Sequence, residues 1–227
     1  MKKLAIAVLF ISLCALPLYG APRHPAKSVQ SKAAHRIMFV LPETVNEEGQ
    51  LFPSARKGYC SASALGPHAL LTAQHCDSGE TSLRVDNDLA DRKIVGRITD
   101  GEDHIIFLVD GTKFKDTMAA DYDPSSYALP TVGDKVFLFG DGGGFWPPQY
   151  RTGYYTGSVN TEEKDLAPTD PVMMLFDMNI IPGDSGSVVY GPNGELVTIV
   201  TYIISGKFAG CYKMAFTAEQ VAKAEAF

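Results

Sequence analysis

Residues 180–190 read "IIPGDSGSVVY". Gly183, Asp184, Ser185 and Gly186 are crowded into one turn, and the apolar run Val188, Val189, Tyr190 follows. A glycine-rich turn ahead of a strand fits a plain hairpin loop. It fits equally a turn that aims a serine hydroxyl at a substrate and backbone N–H groups at a developing oxyanion. A second stretch weighs on the choice. "GPHALLTAQHC" (66–76) places His75 just past an apolar strand, beside Cys76. A serine hydroxyl is a weak nucleophile at neutral pH. It needs a base within hydrogen-bond reach, and the base needs an acceptor that fixes its tautomer. His75 suits the base. The acceptor calls for a carboxylate on a rigid element. Asp103 directly precedes the apolar run from His104 to Val109, and Asp100 and Asp110 flank the same strand as rivals. His68 and His104 read as structural side chains.

The N-terminus reads as an export signal. Lys2 and Lys3 precede an apolar run from Leu4 to Leu18, and the small residues Gly20 and Ala21 follow. Residues 1–20 are therefore expected to be a signal peptide, and the protein to be secreted or periplasmic. The run is about 15 residues, short of the roughly 20 needed to span a bilayer. No other segment reads as a membrane span, so no membrane association is expected once the signal is removed. Residues 22–34 are polar and basic with two prolines, so 21–35 reads as a flexible leader or propeptide. Of the four cysteines, Cys14 leaves with the signal. An oxidising compartment favours one bridge among Cys60, Cys76 and Cys211, with one thiol left over. Three scattered thiols are too few for structural zinc, and "VDNDLADR" (85–92) lacks EF-hand spacing. It reads as a solvated turn, and no metal is expected.

Composition is that of an ordinary globular protein, 45% hydrophobic and 20% charged. The formal charge of −6 gives no reason to expect nucleic-acid binding. Short apolar runs rich in Val, Ile, Phe and Tyr recur, among them "RIMFVL" (36–41), "HIIFLV" (104–109), "KVFLFG" (135–140) and "ELVTIVTYII" (195–204). Gly, Pro, Asp or Asn bounds them. That is a strand-and-turn pattern, and the all-β class follows as a sandwich or one or two barrels. "GPNGE" (191–195) signals a hairpin. One helix stands out, Ala218 to Ala226, with Thr217 as cap and Glu219 in the first turn. "ALPTVGDKV" (128–136) is the best internal boundary. "GDGGGFWPP" (140–148) lacks the Lys-Ser/Thr of a P-loop and reads as a mobile loop near a cleft.

"LLTAQHC" resembles the histidine signature of the chymotrypsin-like (trypsin-like) serine peptidases. "GDSGSVV" resembles their nucleophile signature, with serine in place of the commoner second glycine, and "EDHIIFL" is similar to their looser aspartate strand. The order His, Asp, Ser is that family's order. The resemblance covers about residues 36 to 227 and suggests a compact bacterial or viral style. It implies two packed antiparallel six-stranded β-barrels with a C-terminal helix. Residues 36–127 would carry His75 and Asp103, and residues 128–227 would carry Ser185.

The resemblance also implies roles. Ser185 would attack, His75 would act as base and then acid, and Asp103 would orient His75. Gly183 and Ser185 would supply the oxyanion N–H groups. Cys60 and Cys76 would form the disulfide beside the histidine, leaving Cys211 free. Thr201 falls where the family has a serine that supports the aspartate and faces substrate. Tyr202 and Ile203 would pair with the substrate backbone and shape the pocket mouth. Asn179 would form the pocket base, with Ile180 and Val200 in its wall, which favours cleavage after small or medium uncharged residues. "IMFV" after Arg36 lacks the family's two glycines, so activation by a new N-terminus at Ile37 is not expected, and Asp184 needs another partner. The expected activity is that of a secreted, monomeric serine endopeptidase acting on protein or peptide substrates without a cofactor. The alternative is a protein of the same fold that binds partners without useful catalysis.

Overall fold

The computed structural model describes residues 25–40, 44–45, 49–52, 57–118, 130–160, 172–204 and 208–227. The expected signal segment, residues 1–20, lies outside these residues. Helix α1 (Pro25–Ala33) leads into β1 (Ala34–Val40). A two-residue ladder, β2 (Thr44–Val45) with β3 (Leu51–Phe52), separates β1 from β4 (Lys57–Gly66). Next come β5 (Ala69–Ala73), β6 (Ser82–Val85), β7 (Arg92–Thr99) and β8 (His104–Val109). Six of these strands close into an antiparallel barrel in the order β1-β4-β5-β8-β7-β6.

The second half holds β9 (Lys135–Gly140), β10 (Gln149–Asn160), β11 (Val172–Met178), β12 (Val188–Tyr190), β13 (Leu196–Ile199), β14 (Tyr202–Ile204) and β15 (Phe208–Tyr212). The expected second closed six-stranded barrel is instead a seven-stranded sheet, β13-β12-β9-β10-β11-β15-β14. Its two end strands, β13 and β14, are separated in the chain by Val200 and Thr201 alone. The sheet therefore curls until its ends meet on one stretch of chain. Thr201 N–H donates to Gly210 O (3.2 Å), and Thr198 Oγ1 donates to Tyr212 O (2.6 Å). The closing strand breaks because Val200 turns its backbone elsewhere. Its N–H donates to Ser187 O (2.9 Å) and its carbonyl accepts from Gly186 N–H (2.8 Å). The break in the sheet is thus a clamp on the Ser185 turn.

The two-residue period of a strand sorts side chains between two cores. On β9, Val136 and Leu138 enter the second core, while Phe137 and Phe139 enter the first. On β12, Val189 faces the second core, and Val188 and Tyr190 face the first. These strands are covered on both sides, which is why they read as unbroken apolar runs. Full burial of each such side chain contributes about 1.5–3 kcal/mol.

Two helices bind the ends down. Helix α2 (Ala218–Ala226) starts where the sequence places it, with a capping box between Thr217 and Gln220. Its Gln220 Nε2 reaches back to Thr99 O (3.0 Å), and Val221 and Ala224 are buried. Helix α1 corrects the expectation of a flexible leader over 22–34. Gln30 and Ala33 are buried, and Gln30 Nε2 donates to Gly194 O (2.6 Å) in the "GPNGE" turn. Among the described residues no helix is long and apolar enough to cross a membrane.

Candidate active site

The β5–β8 ladder builds the first half of the site. Ala73 pairs with His104, so the chain beyond β5 runs alongside Asp103. Gln74–Cys76 forms a single 3-10 turn there. Gln74 N–H donates to Asp103 O (3.0 Å), and His75 N–H donates to Asp103 Oδ1 (2.8 Å). His75 Nδ1 lies 2.7 Å from Asp103 Oδ2. One carboxylate thus holds both backbone and ring of His75, and the ring's other nitrogen is left for a substrate or a nucleophile. Cys76 closes the turn through a disulfide to Cys60 on β4. Cys211 is free and buried, and burial pushes its thiol up.

The rivals for the aspartate position are occupied otherwise. Asp110 accepts from Lys93 N–H (2.7 Å). Asp100 lies 2.7 Å from His104 Nδ1, and both side chains are fully buried. Burial alone would raise the Asp100 pKa. The hydrogen bond and charge of His104, with the amides of Ala215 and Glu102, outweigh that and hold it below the ordinary carboxylate range.

The turn with Ser185 is held against the first barrel by Ser61, which sequence reading missed. Ser61 N–H donates to Ser185 O (2.8 Å), and Ser61 Oγ donates to Gly183 O (2.8 Å) while accepting from Asp141 N–H (2.8 Å). Gly186 has φ +84°, and a Cβ there would run into Ser61 O and Thr72 Oγ1. Gly183 has φ +102°, and a Cβ would stand 3.0 Å from Asp141 O and 3.1 Å from Gly143 N. Glycine is required at both places for conformation and for space. Ser185 itself is half-buried. Among the described residues its hydroxyl has no hydrogen-bond partner, His75 included; such bonds often tighten only when substrate binds.

Asp184 finds its partners in "GDGGGFWPP" and on β10. Its carboxylate accepts from Gly142 N–H (2.9 Å) and Ile181 N–H (2.9 Å), and Arg151 Nη1 lies 3.2 Å away. Gly143 N–H donates to Pro182 O (2.7 Å). Residues 142–144 therefore pack on the serine turn, where the sequence suggested a mobile loop. Burial raises the Asp184 pKa, opposed by these donors. Beside it, Asp141 is fully buried, and among the described residues neither carboxylate oxygen has a hydrogen-bond partner. Burial lifts its pKa to about 7; the charges of Asp86 and Asp184 add to the rise, and Arg36 opposes it. Ile37 is buried in the middle of β1, so a cut after Arg36 would break the first barrel. "VDNDLADR" is likewise structural, since Asp86 accepts from Arg36 N–H (2.9 Å) and meets His35 Nδ1 (2.7 Å).

The expected pocket residues divide. Ile180 and Val200 belong to the second core and are almost fully buried, lying just outside β11 and in the break between β13 and β14. They are not available as a pocket wall. Asn179 is exposed, and its carbonyl accepts from Arg151 Nη1 (3.0 Å). Thr201 is buried and its hydroxyl donates to Gly210 O (2.9 Å), so it does not support Asp103; the His75 amide does. Tyr202 and Ile203 are exposed. Tyr202 lines an open cleft of about 500 Å³ with His75, Glu102 and Tyr212. Among the described residues no cluster of His, Cys, Asp and Glu is arranged to hold a metal.

No model of a known sequence family matches the chain, and no curated protein matches it in sequence. Solved structures do match its fold. The Rv3671c protease in its inactive form superposes with a TM-score of 0.62 at 16% identity, over 88% of this chain and 92% of that one. Its active form, from M. tuberculosis, gives 0.59 at 14% identity, over 88% and 82%. A serine-to-alanine mutant of Rv3671c from M. tuberculosis H37Rv, also an inactive form, gives 0.58 at 15% identity, over 89% of each chain. A closed six-stranded barrel, a second curled sheet and this likeness together show that the chain has a chymotrypsin-like double-barrel fold, the fold of these Rv3671c structures.

Proposed function

We propose that the protein is a secreted serine endopeptidase. Ser185 Oγ attacks the scissile carbonyl carbon while His75 Nε2 takes its proton. The tetrahedral oxyanion is held by the N–H groups of Gly183 and Ser185. His75 then gives the proton to the leaving amine, an acyl-enzyme remains on Ser185, and water releases it by the same steps. Asp103 keeps Nδ1 protonated and the ring oriented throughout. The observation that carries this reading is the two-point grip of Asp103 on His75, at 2.8 and 2.7 Å. His35 and His104 make a similar contact with Asp86 and Asp100, but their rings are more buried; the His75 ring is open to solvent beside the cleft, where a general base can reach a substrate. The mature enzyme acts as a monomer on protein or peptide substrates and uses no cofactor.

The competing reading is a catalytically silent binding protein of the same fold, and the unpartnered Ser185 hydroxyl is what favours it. A fluorophosphonate probe separates the two. Rapid labelling, mapped by mass to Ser185 and abolished by Ser185→Ala, supports the peptidase. A folded protein that stays unlabelled sinks it.

A further inference from the structure

We propose that the cleft beside His75 is a subsite for a cationic side chain, lysine or arginine, at the residue of a bound peptide immediately before the one whose carbonyl faces Ser185. The inference deepens the peptidase reading and rests on it for the placement of the peptide.

The cleft is both acidic and aromatic. It is lined by Gln74, His75, Gly101, Glu102 and Asp103 together with the aromatic side chains Tyr202 and Tyr212. The two tyrosine rings meet edge to face, with centroids 5.5 Å apart and planes at 90°. The other carboxylates nearby are engaged, Asp103 by His75 and Asp100 by His104. Among the described residues no cation pairs with Glu102, although its own N–H is tied to Asp100 Oδ1 (3.0 Å). Partial burial and the Asp100 charge already press the Glu102 pKa upward, and a bound ammonium or guanidinium offsets both. The stem of a lysine or arginine packs along apolar ring faces while its head reaches a carboxylate.

The sheet edge sets which peptide residue enters. In the described ladders β14 pairs with β15 alone, so its other edge is available to an extended peptide. Side chains of such a strand alternate between faces. The residue whose carbonyl faces Ser185 turns its side chain away from His75. The residue before it turns toward the cleft that His75 and Tyr202 share. A glutamate there selects for charge, whereas the tyrosines alone select only for bulk.

Binding is measured so that catalysis is not needed. Two fluorescein-labelled peptides, Gly-Ala-Ala-Lys-Val amide and its norleucine counterpart, are titrated against the full-length Ser185→Ala protein and against Ser185→Ala/Glu102→Gln. Circular dichroism of both proteins establishes that they are folded. Tighter binding of the lysine peptide by about tenfold at low salt is expected. It should weaken as salt is raised and fall to parity in the double variant. Equal binding of the two peptides, binding of neither, or an unchanged preference in the double variant overturns the subsite. The fluorophosphonate result on the wild-type protein judges the catalytic reading separately, so the two failures are distinguishable.

Discussion

Arg151 Nη1 stands 3.2 Å from Asp184 Oδ2, and the pair is almost wholly withdrawn from solvent. Arg151 also reaches Asn179 O (3.0 Å), so one guanidinium joins β10 to both ends of the 179–184 segment. The charge that Asp184 needs thus comes from within the folded chain, and no new N-terminus is called for. Removing one partner of a buried pair leaves the other uncompensated, at a cost of about 3–5 kcal/mol. Arg151→Met is expected to lower stability by that order in urea denaturation, and to reduce fluorophosphonate labelling more than the loss of folded protein explains. Unchanged stability would show that the two amide donors suffice for Asp184.

Asp103 and Asp100 each bind a histidine but should fail differently. In Asp103→Asn the side chain no longer favours the required His75 tautomer, and kcat is expected to fall by about 10⁴ with a near-normal melting temperature. Asp100→Asn keeps a single acceptor oxygen, so one of the two backbone amides loses its partner and His104 is left buried without its counter-charge. It is expected to cost about 3 kcal/mol of stability. The activity that remains should follow the folded fraction. A large kcat loss in a folded Asp100→Asn protein would transfer the orienting role to Asp100.

Asp141 makes stability depend on pH. Its folded pKa is raised from 3.8 to about 7. The unfolded chain therefore binds fewer protons than the folded one between these values, and stability falls as pH rises through that window. The group's contribution is fully present below about pH 4 and lost above about pH 7. Asp141→Asn should leave the melting temperature little changed at pH 4 and raise it relative to wild type at pH 8. A constant difference across that range would mean that Asp141 ionises normally.

The Cys60–Cys76 bridge closes a loop over a sequence separation of 16 that contains β5 and the His75 turn. A loop of this size contributes about 3 kcal/mol in the chain-entropy model. Reduction with dithiothreitol should lower the melting temperature and the rate of Ser185 labelling together. Native alkylation without reductant should leave Cys211 unmodified, since it is fully buried. Peptide mapping that found Cys211 bridged would overturn the pairing.

The sequence by itself determined what depends on neighbouring residues. Glycines at 183 and 186, the strand ahead of His75 and the cap at Thr217 act through φ, β-propensity and local hydrogen bonds, all of which read within a few positions. Asp103 was legible because it opens the apolar run of β8, yet only the Ala73–His104 register set it against His75 rather than Asp100 or Asp110. The tertiary structure alone decided the rest. Ser61 lies 122 positions from the Gly183 carbonyl it holds, and no local pattern marks it. Arg151 looks in sequence like any polar strand residue. Helix α1 looks like a leader because what it buries against, Gly194, is far along the chain. Ile180 and Val200 were expected in the pocket wall because they match the family's pocket positions, and a position in a family's pattern does not say whether its side chain faces a cleft or the core. That choice belongs to the curled sheet, whose closing strand breaks at Val200 to bond the Ser185 turn and sends those apolar side chains inward.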